Sequence, residues 1–131
     1  MSPTPDELTK AFIDGMGQSY DNVVDNMRKY LREDVEWHTG TALRHGLDDA
    51  IAHMSEAKDV GISHWDADIL RQASNGNVVF QERVDHIYRL DGSKLADTYV
   101  NAVFEIDGDQ IAKWRDYYNP DELRALMAAE G

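Results

Sequence analysis

The chain of 131 residues has no cysteine. That excludes disulfides, thiolate metal sites and cysteine nucleophiles, and it fits a reducing compartment. No segment approaches the roughly 20 apolar residues of a membrane span. The N-terminal stretch Met-Ser-Pro-Thr-Pro-Asp-Glu has neither a basic cluster nor an apolar run, so no secretory or transit peptide is expected and the cytoplasm is the default location. Positive charge is scarce: 13 Lys and Arg face 25 Asp and Glu, a formal net charge of -12. Like-charge repulsion makes nucleic acid and anionic membrane surfaces poor partners. Solubility is the simplest consequence of so acidic a surface. A Gly-x-Ser-x-Gly elbow is missing, which leaves a covalent α/β-hydrolase route unsupported. Gly-x-Gly-x-x-Gly and phosphate-loop motifs are missing too, so no nucleotide cofactor is expected. His38, His45, His53, His64 and His86 show no short metal-ligand spacing. They read as surface or helix-packing residues, and no metal is expected.

What is present fits one domain over residues 1–131, large enough for its own core and one pocket. Helical signals come first. Thr4-Pro5-Asp6-Glu7 reads as a capping box with Pro at the first helical position. Leu8, Phe12 and Met16 then recur on one helical face, and Gly15 and Gly17 should end or bend that helix. Ser19 caps a second helix with Tyr20, Val23, Val24, Met27, Tyr30 and Leu31 as its apolar face. A third is expected from about Leu47 to Ala57, with Ile51 and Met54 buried. A short strand at Val35 to Thr39 falls between them. The turn dipeptides Asn75-Gly76, Asp91-Gly92 and Asp107-Gly108 then separate four strands, at about residues 62–74, 77–90, 95–106 and 109–118. Asn119-Pro120-Asp121-Glu122 starts a short last helix carrying Leu123, Leu126 and Met127. This order is α+β: helices packed on one face of a curved, mainly antiparallel sheet, whose cone-shaped interior is the pocket.

Strand alternation brings out three charged residues. Arg83 and Asp85 lie two apart and face the same way. Asp116 shares its face with Ala112, Trp114 and Tyr118, a carboxylate flanked by aromatics. Two ionised carboxylates and one guanidinium carry a net charge of about −1 in a desolvated site, so burial favours one added proton. Arg83 lowers the pKa of both carboxylates, so burial and mutual repulsion must outweigh it at one of them. Either carboxylate can hold the proton, and such a unit titrates jointly. The same three residues are also the parts of an ion-pair network that pins neighbouring strands. Trp65, Trp114, Tyr20, Tyr118, Phe12 and Phe104 line either a cavity or a plain core; Trp114 and Tyr118 are the better cavity candidates because they share the face of Asp116.

Phe80-Gln81-Glu82-Arg83-Val84-Asp85 together with Trp114-Arg115-Asp116-Tyr117-Tyr118 resembles the limonene-1,2-epoxide hydrolase family, over about residues 6–125. That family is a branch of the group that includes nuclear transport factor 2, SnoaL cyclases and ketosteroid isomerase, with a cystatin-like α+β barrel. The resemblance implies water addition to a small or medium apolar epoxide without a cofactor. Epoxide opening needs a base to take a proton from water and an acid to protonate the leaving oxygen. By resemblance, Asp116 is the base, Asp85 the acid, and Arg83 the bridge that orients both. The family holds its water with a tyrosine and an asparagine on the first strand; the matching positions are Trp37 and Thr39, which are therefore water or substrate contacts together with Trp114 and Tyr118. A homodimer formed through the outer sheet face is also implied. Two other functions fit the same fold: an isomerase or cyclase that moves a proton next to a carbonyl, and a binding domain without turnover.

Overall fold

Thr4 starts the first helix as the capping box requires. The computed structural model describes the backbone of residues 3–130 and the side chains of residues 3–128. The Thr4 hydroxyl accepts from the Glu7 amide at 3.2 Å, and the Glu7 carboxylate accepts from the Thr4 amide at 3.0 Å. These bonds satisfy two of the donors that a helix start otherwise leaves free. Helix α1 (Pro5–Asp14) then buries Leu8 and Phe12, with Met16 just beyond its end. Its C-cap, Gly15, has to be glycine for a packing reason. A β-carbon there would lie 2.3 Å from the Asn26 side-chain oxygen, and Asn26 donates to the Phe12 carbonyl at 2.7 Å.

Helix α2 (Tyr20–Tyr30) is capped by the Ser19 hydroxyl, which accepts from the Asn22 amide at 3.1 Å. Val23 and Met27 form its buried face. Leu31, read from the sequence as the end of that face, instead begins strand β1 (Leu31–Thr39) with extended backbone angles. The strand is thus longer than the expected Val35–Thr39. Its register shifts between Leu31 and Glu36, which interrupts the alternation that a sequence reading relies on. Strand β2 (Ala42–His45) was not expected; it is a four-residue hairpin return at the sheet edge. Helix α3 (Leu47–Asp59) follows and buries Ala50 and Met54, while Ile51 is only half-buried.

The rest is the anticipated meander: β3 (Ile62–Asn75), β4 (Val78–Arg89), β5 (Lys94–Asp107) and β6 (Gln110–Tyr117). Gly76, Gly92 and Gly108 all have positive φ at the three hairpin turns, a backbone region that other residues avoid. Asn119 accepts from the Asp121 amide at 3.0 Å and starts α4 (Pro120–Glu130).

The six strands form one sheet in the order β2-β1-β6-β5-β4-β3. All neighbours are antiparallel except β1 and β6. That parallel pair brings the first strand beside the last and places Thr39 opposite Asp116. Helices α1 and α3 pack on the sheet. Between helices and sheet lies an aromatic core: Phe12 stands edge-on to Trp114 at 4.9 Å, and Trp114 stacks on Trp37 at 4.2 Å. Each such pair adds roughly 0.5–1.5 kcal/mol beyond simple burial. Among the described residues, no helix is long and apolar enough to cross a membrane.

Candidate active site

The inner face of β4 carries Gln81, Arg83 and Asp85 in alternation, and all three are buried. Strand β6 contributes Trp114 and Asp116, and β1 contributes Trp37 and Thr39. Strand β5 separates β4 from β6, and Ala102 on β5 is paired with both Gln81 and Asp116. Its single methyl group leaves the long Arg83 side chain room to span β5.

Arg83 is fully buried. Its Nε donates to Asp85 Oδ1 at 2.7 Å and its Nη2 to Asp85 Oδ2 at 3.2 Å. The same Nη2 lies 2.9 Å from Asp116 Oδ2. Nη1 donates to the Gln81 side-chain carbonyl at 3.1 Å. The other oxygen of Asp116 accepts from Trp114 Nε1 at 2.9 Å. One guanidinium therefore joins two carboxylates on different strands.

Burial is the dominant influence on Asp116, and it pushes the carboxyl pKa up to about 6. The guanidinium of Arg83 opposes this, the neighbouring Asp85 reinforces it, and the Trp114 hydrogen bond opposes it weakly. A carboxyl poised there is a stronger base than a surface aspartate yet is still largely ionised at neutral pH. Arg83 is raised still further above its ordinary value: Asp116 and Asp85 more than offset the cost of burying it. It stays charged.

A cavity of about 90 Å³ opens beside this unit. Asp85, Asp116, Thr39 and Tyr118 line it on the polar side; Trp37, Trp65, Ile87 and Val100 are among its apolar walls. The Thr39 and Tyr118 hydroxyls are 2.9 Å apart. Burial raises the Tyr118 pKa, so its hydroxyl stays a neutral donor.

Arg83, Trp114, Phe12, Phe104 and Tyr20, all singled out from the sequence, do not line this cavity. Arg83 lies behind the two carboxylates. Trp114 also lies behind them, fully buried, and its contribution is the bond to Asp116 and the stack under Trp37. Phe12 and Phe104 are core, whereas Trp65 is a wall. His53, read as a helix-packing residue, lies on the cavity wall edge-to-face with Trp37 at 5.0 Å, and burial lowers its pKa. Its position one turn from Ala57 on α3, which lines the cavity too, was the available signal. Gln81 was also missed, although it alternates in phase with Arg83 and Asp85. Among the described residues, no three His, Asp or Glu side chains converge as metal ligands.

No curated protein matches this sequence. Solved structures do match in fold. An LEH-like epoxide hydrolase from M. tuberculosis is 19% identical, with a TM-score of 0.73 over 95% of this chain and 90% of that one. A SnoaL-like, polyketide cyclase-type protein from Shewanella putrefaciens CN-32 is 12% identical, with a TM-score of 0.76 over 98% and 99%. A protein of ketosteroid isomerase-like fold from Catenulispora acidiphila, solved with trimethylamine, is 17% identical, with a TM-score of 0.69 over 96% and 95%. At such identities these likenesses establish the shared α+β fold alone. The sequence goes further: residues 4–128 match the model of the limonene-1,2-epoxide hydrolase catalytic domain, and the chain belongs to that family.

Proposed function

We propose that the chain is a cofactor-free epoxide hydrolase that adds water to a compact apolar epoxide in one concerted step. The observation that carries this reading is the Arg83 guanidinium bound to Asp85 and close to Asp116, with both carboxylates at the cavity surface. Ionised Asp116 removes a proton from water as the water oxygen attacks an epoxide carbon. The carbon–oxygen bond breaks, and protonated Asp85 gives its proton to the leaving oxygen. A vicinal diol results, with the proton count of the pair unchanged. The base gains the proton that the acid loses, and exchange within the coupled unit or with solvent resets it. Arg83 keeps both carboxylates oriented and favours ionised Asp116. The Thr39 and Tyr118 hydroxyls are the groups available to hold the water. Trp37, where the family has tyrosine, stacks on Trp114 and narrows the cavity, which favours a small substrate.

Hydrolysis of limonene oxide, cyclohexene oxide, styrene oxide and a bulky fatty epoxide in ¹⁸O-labelled water tests this. Labelled diol from the first turnover, lost in Asp116→Asn, is the expected result. No diol from any epoxide would sink it.

One observation favours a second reading, an isomerase or cyclase. Tyr118 and Thr39 supply neutral donors beside Asp116, the arrangement a developing oxyanion needs. Arg83→Met separates the two, because hydration depends on the bridge more than proton shuttling by one carboxylate does. If both carboxylate-to-amide variants still bind a ligand and the wild type forms no product, the domain is a binding module.

We further infer a cytoplasmic homodimer paired through the outer sheet face. Phe80, Tyr99 and Tyr117 lie on that face and are 49%, 51% and 47% exposed, large apolar side chains for a free surface. Sedimentation should give a dimer that Phe80→Glu dissociates; a monomeric wild type would refute the pairing.

A further inference from the structure

Behind Arg83 runs a chain of side-chain amides that the reaction chemistry does not itself call for. Gln81 is 4% exposed, buried as deeply as the acid and base. Its carbonyl accepts from Arg83 Nη1 at 3.1 Å, and its amide nitrogen donates to the Gln72 carbonyl at 2.8 Å. Gln72 in turn donates to the Asp6 backbone carbonyl at 2.8 Å, in the first turn of α1, and to the Asp6 carboxylate at 3.3 Å. That carboxylate also accepts from the Ser74 hydroxyl at 2.6 Å.

The direction of this chain is determined at both ends. A guanidinium only donates, and the Asp6 oxygens only accept. Each amide between them has one orientation that satisfies both neighbours; reversing either places donor against donor or acceptor against acceptor. The backbone is also adjusted for it. Residues 65, 67 and 69 of β3 turn inward, Leu70 and Arg71 both point out, and Gln72 turns in again. The register shift between Ile69 and Arg71 makes this change of phase and sets Gln72 opposite Gln81. Had the alternation run unbroken from Ile69 through Leu70, Gln72 would face solvent.

We propose that Gln81 and Gln72 are positioning residues: a head-to-tail amide relay that anchors the Arg83 guanidinium to the first turn of α1 and so holds it within reach of both Asp85 and Asp116. The proposal rests on the reading of Arg83 as the bridge. Its mechanical consequence is specific. Asp85 and Asp116 pull the guanidinium from one side, and Gln81 is the acceptor on Nη1. Without that acceptor, Arg83 tilts and its contact with Asp116 lengthens. The carboxyl then loses part of the charge that opposes burial, and its titration moves up.

The test uses the full chain with Gln81→Met and Gln72→Met. The carboxyl of Asp116 is followed by ¹³C NMR against pH, without substrate, and assigned with Asp116→Asn. Hydrolysis kinetics are measured in parallel. Expected results are an upward shift of the Asp116 midpoint in both Met variants, larger for Gln81, and a kcat about 10- to 100-fold lower for Gln81→Met with KM little changed. Unshifted titration and unchanged kcat in both Met variants would overturn the relay. Should Gln81→Met not fold, half-buried Gln72 carries the same test. A wild type that turns over no epoxide, while the Met variants still shift the titration, would refute the hydrolase reading and leave the relay standing; the reverse pattern would refute the relay alone.

Discussion

Strand β4 carries two clusters built to one formula, a cation between two carboxylates, on its opposite faces. On the inner face Arg83 joins Asp85 and Asp116. On the outer face His86 lies between Asp97, 2.6 Å from its Nδ1, and Asp68, 2.8 Å from its Nε2. The consequences are opposite. The outer carboxylate Asp97 is held below its ordinary pKa, chiefly by the His86 hydrogen bond and then by Lys94. The inner carboxylate Asp116 is pushed up to about 6 because burial outweighs its cation. Water around the outer cluster solvates its charges well, so pairing outweighs the little desolvation that remains. Inside, desolvation penalises each charge, and one guanidinium cannot fully compensate two carboxylates. Ion-pair geometry alone therefore does not set the direction of a carboxylate's pKa shift; depth decides it.

The largest expected break in this comparison is removal of the inner carboxylate on β6, the base of the proposed reaction. Asp116→Asn should lower kcat roughly 10²- to 10⁴-fold, the usual contribution of a general base, with folding retained. His86→Asn should leave kcat within error. Equal losses in the two variants would erase the distinction between the faces.

Next is Arg83→Met, which strands two buried carboxylates. Urea denaturation should show a loss of about 3–5 kcal/mol at pH 8 and a smaller one at pH 4, where protonation relieves the unpaired charge. A loss independent of pH would mean that packing, not charge, is what Arg83 supplies.

The two clusters also separate by pH window. Asp116 rises from an ordinary 3.8 to about 6 on folding. The folded state holds this proton more tightly, so stability is highest below 3.8 and declines as pH climbs through about 6, by an amount on the order of 3 kcal/mol. His86 is raised too, by Asp97 first and Asp68 second. Its contribution is complete below its ordinary 6.5 and disappears as pH passes its folded-state value. Urea midpoints from pH 3 to 9 should show both declines, with His86→Asn removing only the alkaline one. In kinetics, kcat should rise through an acid limb near 6.

The smallest effect sharpens the inner cluster. Trp114→Phe keeps an aromatic under Trp37 but deletes the 2.9 Å bond to Asp116. The acid limb should move up, by no more than about one pH unit. A downward move would contradict the role of that bond.

Much of this was legible beforehand, for reasons that can be traced to particular residues. Caps and tight turns are local, so Thr4, Ser19, Asn119 and the three Asx-Gly pairs marked their elements within a few residues. Period-two alternation showed that Arg83 and Asp85 share a face. It failed where the backbone breaks phase: β1 shifts register before Glu36, and the extra residue at Leu70 turned Gln72 inward unseen. The edge strand β2 is too short, at four residues, to show a period at all.

Sequence by itself determined which residues were chemically able to act, that Arg83 and Asp85 share a face and where the three Asx-Gly turns fell, because these depend on neighbours within a few positions. Tertiary structure alone decided that Asp116 meets Arg83 across an intervening strand at a small Ala102, that His53 reaches the cavity wall, and that Asp6 anchors the guanidinium through two amides. Those facts depend on strand order, on the parallel pairing of β1 with β6 and on depth of burial. Burial is the physical reason a carboxylate here titrates near 6 while its outer-face counterpart Asp97 is held below the usual carboxylate range, and no spacing of residues along a chain encodes it directly.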